Sequence, residues 1–199
     1  NTFLIVAFKP PFLLVHDDGN NQDTLQARVN GYLQLNQNKY PAQAIHRIDY
    51  ETSGLVLFCK HPFFQAYCDK NMEEHHIKKD YIALVQGHTN YKNKKIVSNI
   101  ARDRHNAKKM IIHPNGKESV SIFNTLKNYK DYSLIQVTIL TGRKHQIRVQ
   151  CASLKHPILN DSLYGGKRID NTGLLLQSHH IQFNDIDIIC PQEKRFIRK

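Results

Sequence analysis

Apolar residues along the chain gather in short runs separated by prolines, glycines and charges, and the period within each run distinguishes strand from helix. Phe3-Leu4-Ile5-Val6 and Phe12-Leu13-Leu14-Val15-His16 read as two short strands broken by Lys9-Pro10-Pro11, because proline cannot donate to a ladder. GLVLFCK (54–60) is an apolar run of strand length and predicts a buried strand. From His61 the period changes. Phe64, Tyr67, Cys68, Met72 and His75 recur at three- and four-residue steps behind Pro62, a residue suited to a first helical turn, so a surface helix is expected to end near HHIKKD. YIALVQG (81–87) and YSLIQVTIL (132–140) predict two further strands. HQIRVQCASL predicts a helix with Ile147, Cys151 and Leu154 on one stripe, Gly165-Gly166 marks a tight loop, and DIDIICPQEKRFIRK alternates like a last strand before fraying in basic residues.

Between the two middle strands lies a basic excursion. Lys92, Lys94, Lys95, Arg102, Arg104, Lys108, Lys109 and Lys117 share residues 92–117 with one carboxylate, Asp103 in RDRHNAKKM. A charge run is often no more than a solvated face. Here MII followed by the turn residues Pro114, Asn115 and Gly116 predicts a strand-turn-strand arm that carries cations to a partner.

Composition narrows the classes. A length of 199 residues suits a single domain spanning 1–199, and the start at Asn1 is compatible with an amino-terminal extension absent from this chain. The formal net charge is +11, from 28 Lys and Arg against 17 Asp and Glu, which favours phosphate backbones or anionic membranes. No run of 18 or more apolar residues occurs, so a transmembrane span is not expected, and no membrane is expected among the partners. Four cysteines at irregular spacings, without a CxxC pair, fit reduced structural thiols of a cytoplasmic protein. The twelve histidines include the doublets His75-His76 and His179-His180, but none stands in a metal-ligand spacing, so no metal is expected.

One carboxylate stands out against the basic background. Asp49 in HRIDYETSG (46–54) lies in the loop expected to feed the buried strand at 54–60. Locally such an acid reads as a turn or helix cap. Arg148 falls about 100° round its helix from Ile147, on the border of the buried stripe. A cation there needs a carboxylate once it leaves water.

HRIDYETSG, KDYIALVQG, TGRKHQIRV and HPILNDSLYGG, with KPPFLLVH before them and RDRHNAKKM among them, resemble in order and spacing the successive motifs of the RluA-type pseudouridine synthase family. The resemblance covers nearly the whole chain. It implies an α+β pseudouridine synthase fold with a central mixed, mostly antiparallel sheet, a catalytic cleft and flanking helices. It also implies isomerisation of specific uridines to pseudouridine in structured ribosomal or transfer RNA, without cofactor or metal, by a cytoplasmic monomer. By the same resemblance Asp49 is the catalytic carboxylate acting at the ribose of a flipped-out nucleotide, and Arg148 pairs with it in the cleft. Tyr81 stacks on the base or assists proton transfer, and Ile147 packs against the base. Arg47 contacts RNA beside the vacated position, while Arg102, Lys108, Lys109, Arg143 and Lys144 hold phosphates. The chain departs from the family at Phe12 and Asn160, commonly glycine, and at Gln150 and Gln177, commonly histidine. Two other readings compete: a non-catalytic RNA-binding protein that retains the fold, and a hydrolase centred on His46 or a cysteine, for which no nucleophile elbow or Cys/His signature is present.

Overall fold

The computed structural model describes residues 2–20 and 23–197. In chain order the elements are β1 (Leu4–Lys9), α1 (Leu25–Leu35), β2 (Gln43–Ala44), β3 (Ser53–Cys59), α2 (Pro62–Glu73), β4 (Lys78–Gln86), β5 (Lys94–Arg102), β6 (Met110–Ile112) and β7 (Lys117–Asn128). There follow β8 (Tyr132–Ile139), α3 (Gln146–Ser153), β9 (Leu176–Phe183) and β10 (Ile186–Ile189), with 3-10 turns at Ser162–Tyr164 and Lys194–Phe196. This is the expected α+β class. Two compact units divide the chain: Asn1–Lys78 with Ser178–Cys190, and Lys79–Gln177 with Pro191–Lys199. No helix is long and apolar enough to cross a membrane among the described residues.

In the first unit β3 is buried at every residue, as its unbroken apolar run requires. β1 pairs antiparallel with it from Leu4 opposite Cys59 to Lys9 opposite Gly54. β9 is its other neighbour and carries β10 as a hairpin partner. Leu55, Leu57 and Cys59 pack with Cys68 of α2, Ile181 and Phe183 of β9, and Ile186 and Cys190. The helix at 62 begins with proline as predicted and lies at the surface: Cys68 is its one fully buried side chain, and Phe63 is 87% exposed.

Phe12 to His16 does not form the strand that its composition suggests. Leu14 makes a single bridge to Thr24, and the Leu14 and Val15 carbonyls accept the Leu25 and Gln26 N–H groups at 2.8 and 2.9 Å. Those carbonyls serve the unsatisfied donors at the start of α1 instead of a ladder. Thr24 caps the same helix by accepting from Ala27 N–H at 3.1 Å, while Leu25, Val29 and Leu33 form its buried stripe.

In the second unit the strand order is β4-β8-β7-β5-β6, with antiparallel pairing at each step. The basic excursion is not a two-stranded projecting arm. β6 and β7 lie on opposite sides of β5, with Ile100 opposite both Ile112 and Lys117, so residues 113–116 cross the end of β5. Asn99 holds that crossing: its carbonyl accepts His113 N–H at 2.9 Å and its amide donates to the Pro114 carbonyl at 3.1 Å. The cations are therefore displayed on the sheet and on the 103–109 loop.

The tail also differs from its expectation. β10 forms, but the basic residues after it do not fray up to 197. Phe196 is fully buried with Ile82, Leu84, Leu134, Leu159 and Leu175. A single aromatic outweighs its charged neighbours, since burying such a side chain is worth about 1.5–3 kcal/mol. Arg198 and Lys199 lie outside the described residues. Phe196→Ala is accordingly expected to lower stability by about 3–5 kcal/mol in chemical denaturation, a loss no surface residue of a frayed tail would give.

Candidate active site

The segment carrying Asp49 is fastened at both ends. After β2 pairs with the end of β3, Ile45 N–H donates to the Leu57 carbonyl at 2.9 Å, and Leu57 N–H donates to His46 Nε2 at 3.1 Å. The imidazole thus takes the place of a ladder carbonyl, which gives His46 a structural task and withdraws it from nucleophilic chemistry. Asp49 follows, half-buried, in a turn closed by Thr52 N–H on the Asp49 carbonyl at 3.1 Å. The turn runs directly into β3, as expected from the sequence.

Lys9 holds this turn from the other side. Its side chain is fully buried, and the ammonium donates to the carbonyls of Pro10, Leu13 and Tyr50 at 2.9, 2.7 and 3.0 Å. Phe12 N–H adds a bond to the same Tyr50 carbonyl at 2.8 Å. A buried ammonium must be solvated by the protein, so these carbonyls cannot drift apart without a large penalty. Gly54 completes the arrangement. Its φ is +114°, and a Cβ there would stand 2.2 Å from the Ser178 carbonyl oxygen, so only glycine lets β9 pass this close to the start of β3. Arg47, exposed, lines a cavity of about 140 Å³ with Leu14, His16, Asp17, Ile48 and Tyr50.

The second unit holds the remaining candidates. Tyr81 is buried on β4 opposite Val137, on the face away from Ile82 and Leu84. Two residues earlier, burial pushes the Lys79 ammonium down to about 8. The TGRKHQ segment is organised by Gln146, whose amide is fully used. Its Oε1 accepts Thr141 Oγ1–H at 2.9 Å and Arg143 N–H at 3.0 Å, and its Nε2 donates to the Val120 carbonyl and Ser121 Oγ at 3.1 and 2.8 Å. The loop is thereby locked to β7 with Arg143 and Lys144 facing solvent.

Helix α3 is buried all round from Gln146 to Cys151, beyond the one stripe expected. Arg148 is therefore a buried cation. It meets Asp161 in a two-pronged pair, Nε to Oδ2 and Nη2 to Oδ1, both 2.8 Å, with side chains 5% and 1% exposed. Asp161 is set by the turn after it: Gly166 N–H donates to its carbonyl at 2.8 Å, and a Cβ on Gly166 would meet the Ile158 oxygen at 1.9 Å. Burial and the Asp161 charge together push the Cys151 thiol up, leaving it neutral. All four cysteines are buried and free.

Arg102 and Lys108 are exposed, and half-buried Lys109 lies over the Tyr164 ring at 5.6 Å. Arg143 Nε donates to the Glu118 carbonyl at 2.9 Å. Asp49 and Arg47 belong to the first unit; Tyr81, Ile147, Arg148 and the phosphate-binding candidates belong to the second. Within the second unit α3 and its leading loop bring Ile147, Arg148, Arg143 and Lys144 onto one short segment. Sequence reasoning assigned no role to Lys9, Asp161 or Tyr164. Each stands inside a quoted motif, and a carboxylate two residues after the apolar pair Ile158-Leu159 was the available signal for a buried partner. Among the described residues no three His, Cys, Asp or Glu side chains gather to hold a metal.

Comparison with known proteins identifies the family. Residues 3–153 match the family model described as RNA pseudouridylate synthase, and the chain belongs to that family. It is 35% identical over 166 residues to the uncharacterized RNA pseudouridine synthase YhcT of Bacillus subtilis, covering 82% of this chain and 55% of that protein. It is 31% identical over 205 residues to ribosomal large subunit pseudouridine synthase D of Borreliella burgdorferi, covering 98% of this chain and 61% of that one. The chain thus spans roughly half to two thirds of these relatives' length. Among solved structures, human RNA pseudouridylate synthase domain containing 4 superposes with a TM-score of 0.80 at 19% identity, over 98% of this chain and 88% of that one. At that identity the likeness establishes the fold.

Lys79 gives a pH test of the buried environment beside Tyr81. Its folded-state pKa, about 8, lies below that of the unfolded chain, so folding releases its proton between the two values and stability attributable to this group rises with pH. Measured by urea denaturation, any advantage of Lys79→Met over the parent is expected to shrink by about 3 kcal/mol between about pH 7 and pH 10.5, the range over which the parent sheds that charge.

Proposed function

We propose that this chain is the catalytic portion of an enzyme that converts specific uridines of structured RNA, ribosomal RNA foremost, to pseudouridine. Asp49 supports the reading best: a carboxylate in the family's HRxD position, on a turn clamped by a buried lysine and leading into a fully buried strand. Rigid support of this kind is what a group acting at a defined atom requires. The relatives named for the large ribosomal subunit favour ribosomal over transfer RNA.

The reaction is an isomerisation, so its atoms must balance without a co-reactant. The C1′–N1 bond of uridine breaks, the uracil turns, C5 bonds to C1′, C5 gives up its proton and N1 gains one. The departing base leaves the sugar electron-poor. The Asp49 carboxylate answers that demand either by bonding to C1′, being displaced when C5 attacks, or by taking a proton from C2′ and returning it. A primary isotope effect with 2′-deuterated uridine separates the two routes. Arg148 serves Asp49 as the cation that favours its ionised form, the role of its family counterpart. Tyr81 and Ile147 contact the base, Tyr81 standing by for the C5 proton. A paired uridine is out of reach until it is everted, and Arg47 occupies the gap by stacking its guanidinium plane.

Affinity comes from phosphate contacts of Arg102, Lys108, Lys109, Arg143 and Lys144, which position RNA without reading its sequence. Asp49→Asn is expected to abolish pseudouridine formation in an unmodified large-subunit RNA transcript while RNA affinity stays within about twofold, because no phosphate contact is lost. Full activity of that variant removes Asp49 from the mechanism, and an inactive parent chain with intact RNA binding selects the non-catalytic reading. Lys108→Ala is expected to weaken binding of all RNAs alike and to reduce the slope of log affinity against log salt by about one.

A further inference from the structure

Tyr164 lies at a junction to which the mechanism assigns nothing. Its hydroxyl accepts Met110 N–H at 2.8 Å, at the point where the cation-bearing loop 103–109 enters β6. The same hydroxyl hydrogen-bonds His145 Nδ1 at 2.9 Å, at the point where the loop carrying Arg143 and Lys144 enters α3. Its ring faces two cations: the Arg148 guanidinium carbon is 5.1 Å from the centroid and Lys109 Nζ is 5.6 Å away. One side chain therefore touches both loops proposed to hold phosphate and the arginine proposed to serve the catalytic carboxylate.

The local backbone explains why a tether is needed there. His145 stands in the left-handed region, φ 54° and ψ 22°, and its side chain does not cap the helix it opens. A non-glycine residue in that conformation persists only where its surroundings over-determine it. The hydroxyl bond and the edge-on contact of the two rings, 5.7 Å between centroids at 88°, provide that constraint. Met110 likewise opens a strand of only three residues, after a loop whose turns are closed by its own side chains, Asp103 accepting His105 N–H and Asn106 accepting Lys108 N–H. The Arg148 fork to Asp161 fixes two N–H groups of the guanidinium, and the Tyr164 ring centroid lies 5.1 Å from the guanidinium carbon, within cation–π range. Tyr164 follows Asp161 by three residues across a 3-10 turn, so the carboxylate and the ring are delivered by the same turn.

We infer that Tyr164 is a positioning residue that couples the two phosphate-binding loops to Arg148, its hydroxyl aligning the loops and its ring aligning the guanidinium. This rests on the function proposed above. The two halves of the side chain make separable predictions. Tyr164→Phe keeps the ring and removes both hydroxyl bonds; Tyr164→Leu removes the ring as well.

The experiment combines steady-state kinetics on an unmodified large-subunit RNA transcript with hydrogen exchange at the Met110 amide. In Y164F the amide is expected to exchange roughly tenfold faster and KM to rise roughly fivefold, with kcat little altered, the size expected for a lost neutral hydrogen bond. In Y164L kcat is expected to fall about tenfold further, because Arg148 loses its ring. Should Y164L not fold, Tyr164→Met takes its place. A purely structural role would instead lower kcat by the same factor in both variants, and that result overturns the inference. So does Y164F with unchanged KM and unchanged Met110 exchange. If the parent chain converts no uridine, the proposed function fails on its own, and exchange together with RNA dissociation constants of Y164F still decides the loop-aligning role of the hydroxyl.

Discussion

A guanidinium withdrawn from water is tolerable only where oxygen atoms take its N–H groups, and the second unit is arranged to meet that demand at Arg148. An unpaired buried charge costs several kcal/mol, enough to consume much of a domain's net stability. The Asp161 fork meets the demand, and meeting it fixes more than the pair. Asp161 is held by a turn that admits only glycine at 166, α3 is buried from Gln146 to Cys151 so that Arg148 cannot swing out, and Gln146 locks the segment before it to β7. The first unit uses the same physics with a different cation. Lys9 is sealed among three carbonyls, two from its own loop and one from Tyr50, and the turn bearing Asp49 is immobilised as a result. In both units a buried cation converts the cost of desolvation into rigidity of the loop beside it.

The exposed cations answer a different demand. Arg47, Arg102, Lys108, Arg143 and Lys144 remain at the surface, where mutual repulsion is screened within a Debye length of about 8 Å at physiological salt. In the function proposed above they supply attraction for a polyanion, which carries little sequence information. Buried cations set geometry, whereas the exposed ones are those proposed to set affinity.

The strands were legible in the sequence wherever their residues were apolar on both faces, as at 54–60 and 81–87, because an uninterrupted run leaves no other burial solution. The helix at 62 was legible from its period and its proline. What could not be read depended on partners remote in sequence. Leu14 and Val15 look like strand residues, but their carbonyls are claimed by the N-terminus of α1. Phe196 lies among basic residues, and only the cavity left by Leu84, Leu134 and Leu175 explains its burial. The basic excursion shows strand and turn signals correctly, yet which strand lies between which is a property of the sheet. At the site, Arg148 was recognisable as a cation needing a carboxylate; Asp161 beside the apolar Ile158-Leu159 was a signal of a buried acid, but its pairing with Arg148 needed the 158–166 turn seen beside α3.

The departures from the family pattern show which features of the scaffold tolerate exchange. Phe12 and Asn160 occupy positions where glycine is common, and both stand at positive φ, 62° and 68°. The backbone geometry has been kept and its cost met locally. Phe12 N–H bonds the Tyr50 carbonyl while its ring leans edge-on against Tyr50, and Asn160 ties both ends of its amide into residues 169–173. Asparagine is among the side chains least penalised in that region; phenylalanine is not, so the Phe12 turn has to be held by its contacts, with Lys9 among them. Gln150, fully buried, donates to Ser98 Oγ at 3.1 Å from α3 and so joins the helix to β5 in place of an imidazole. Phe12 and Asn160 thus support loops and Gln150 supports a helix-to-strand contact, places where a second contact can compensate, while Asp49, Tyr81 and Arg148 keep the residue types of the family motifs. For the residues proposed to act on the substrate no second contact can compensate, because their chemistry as well as their position is required.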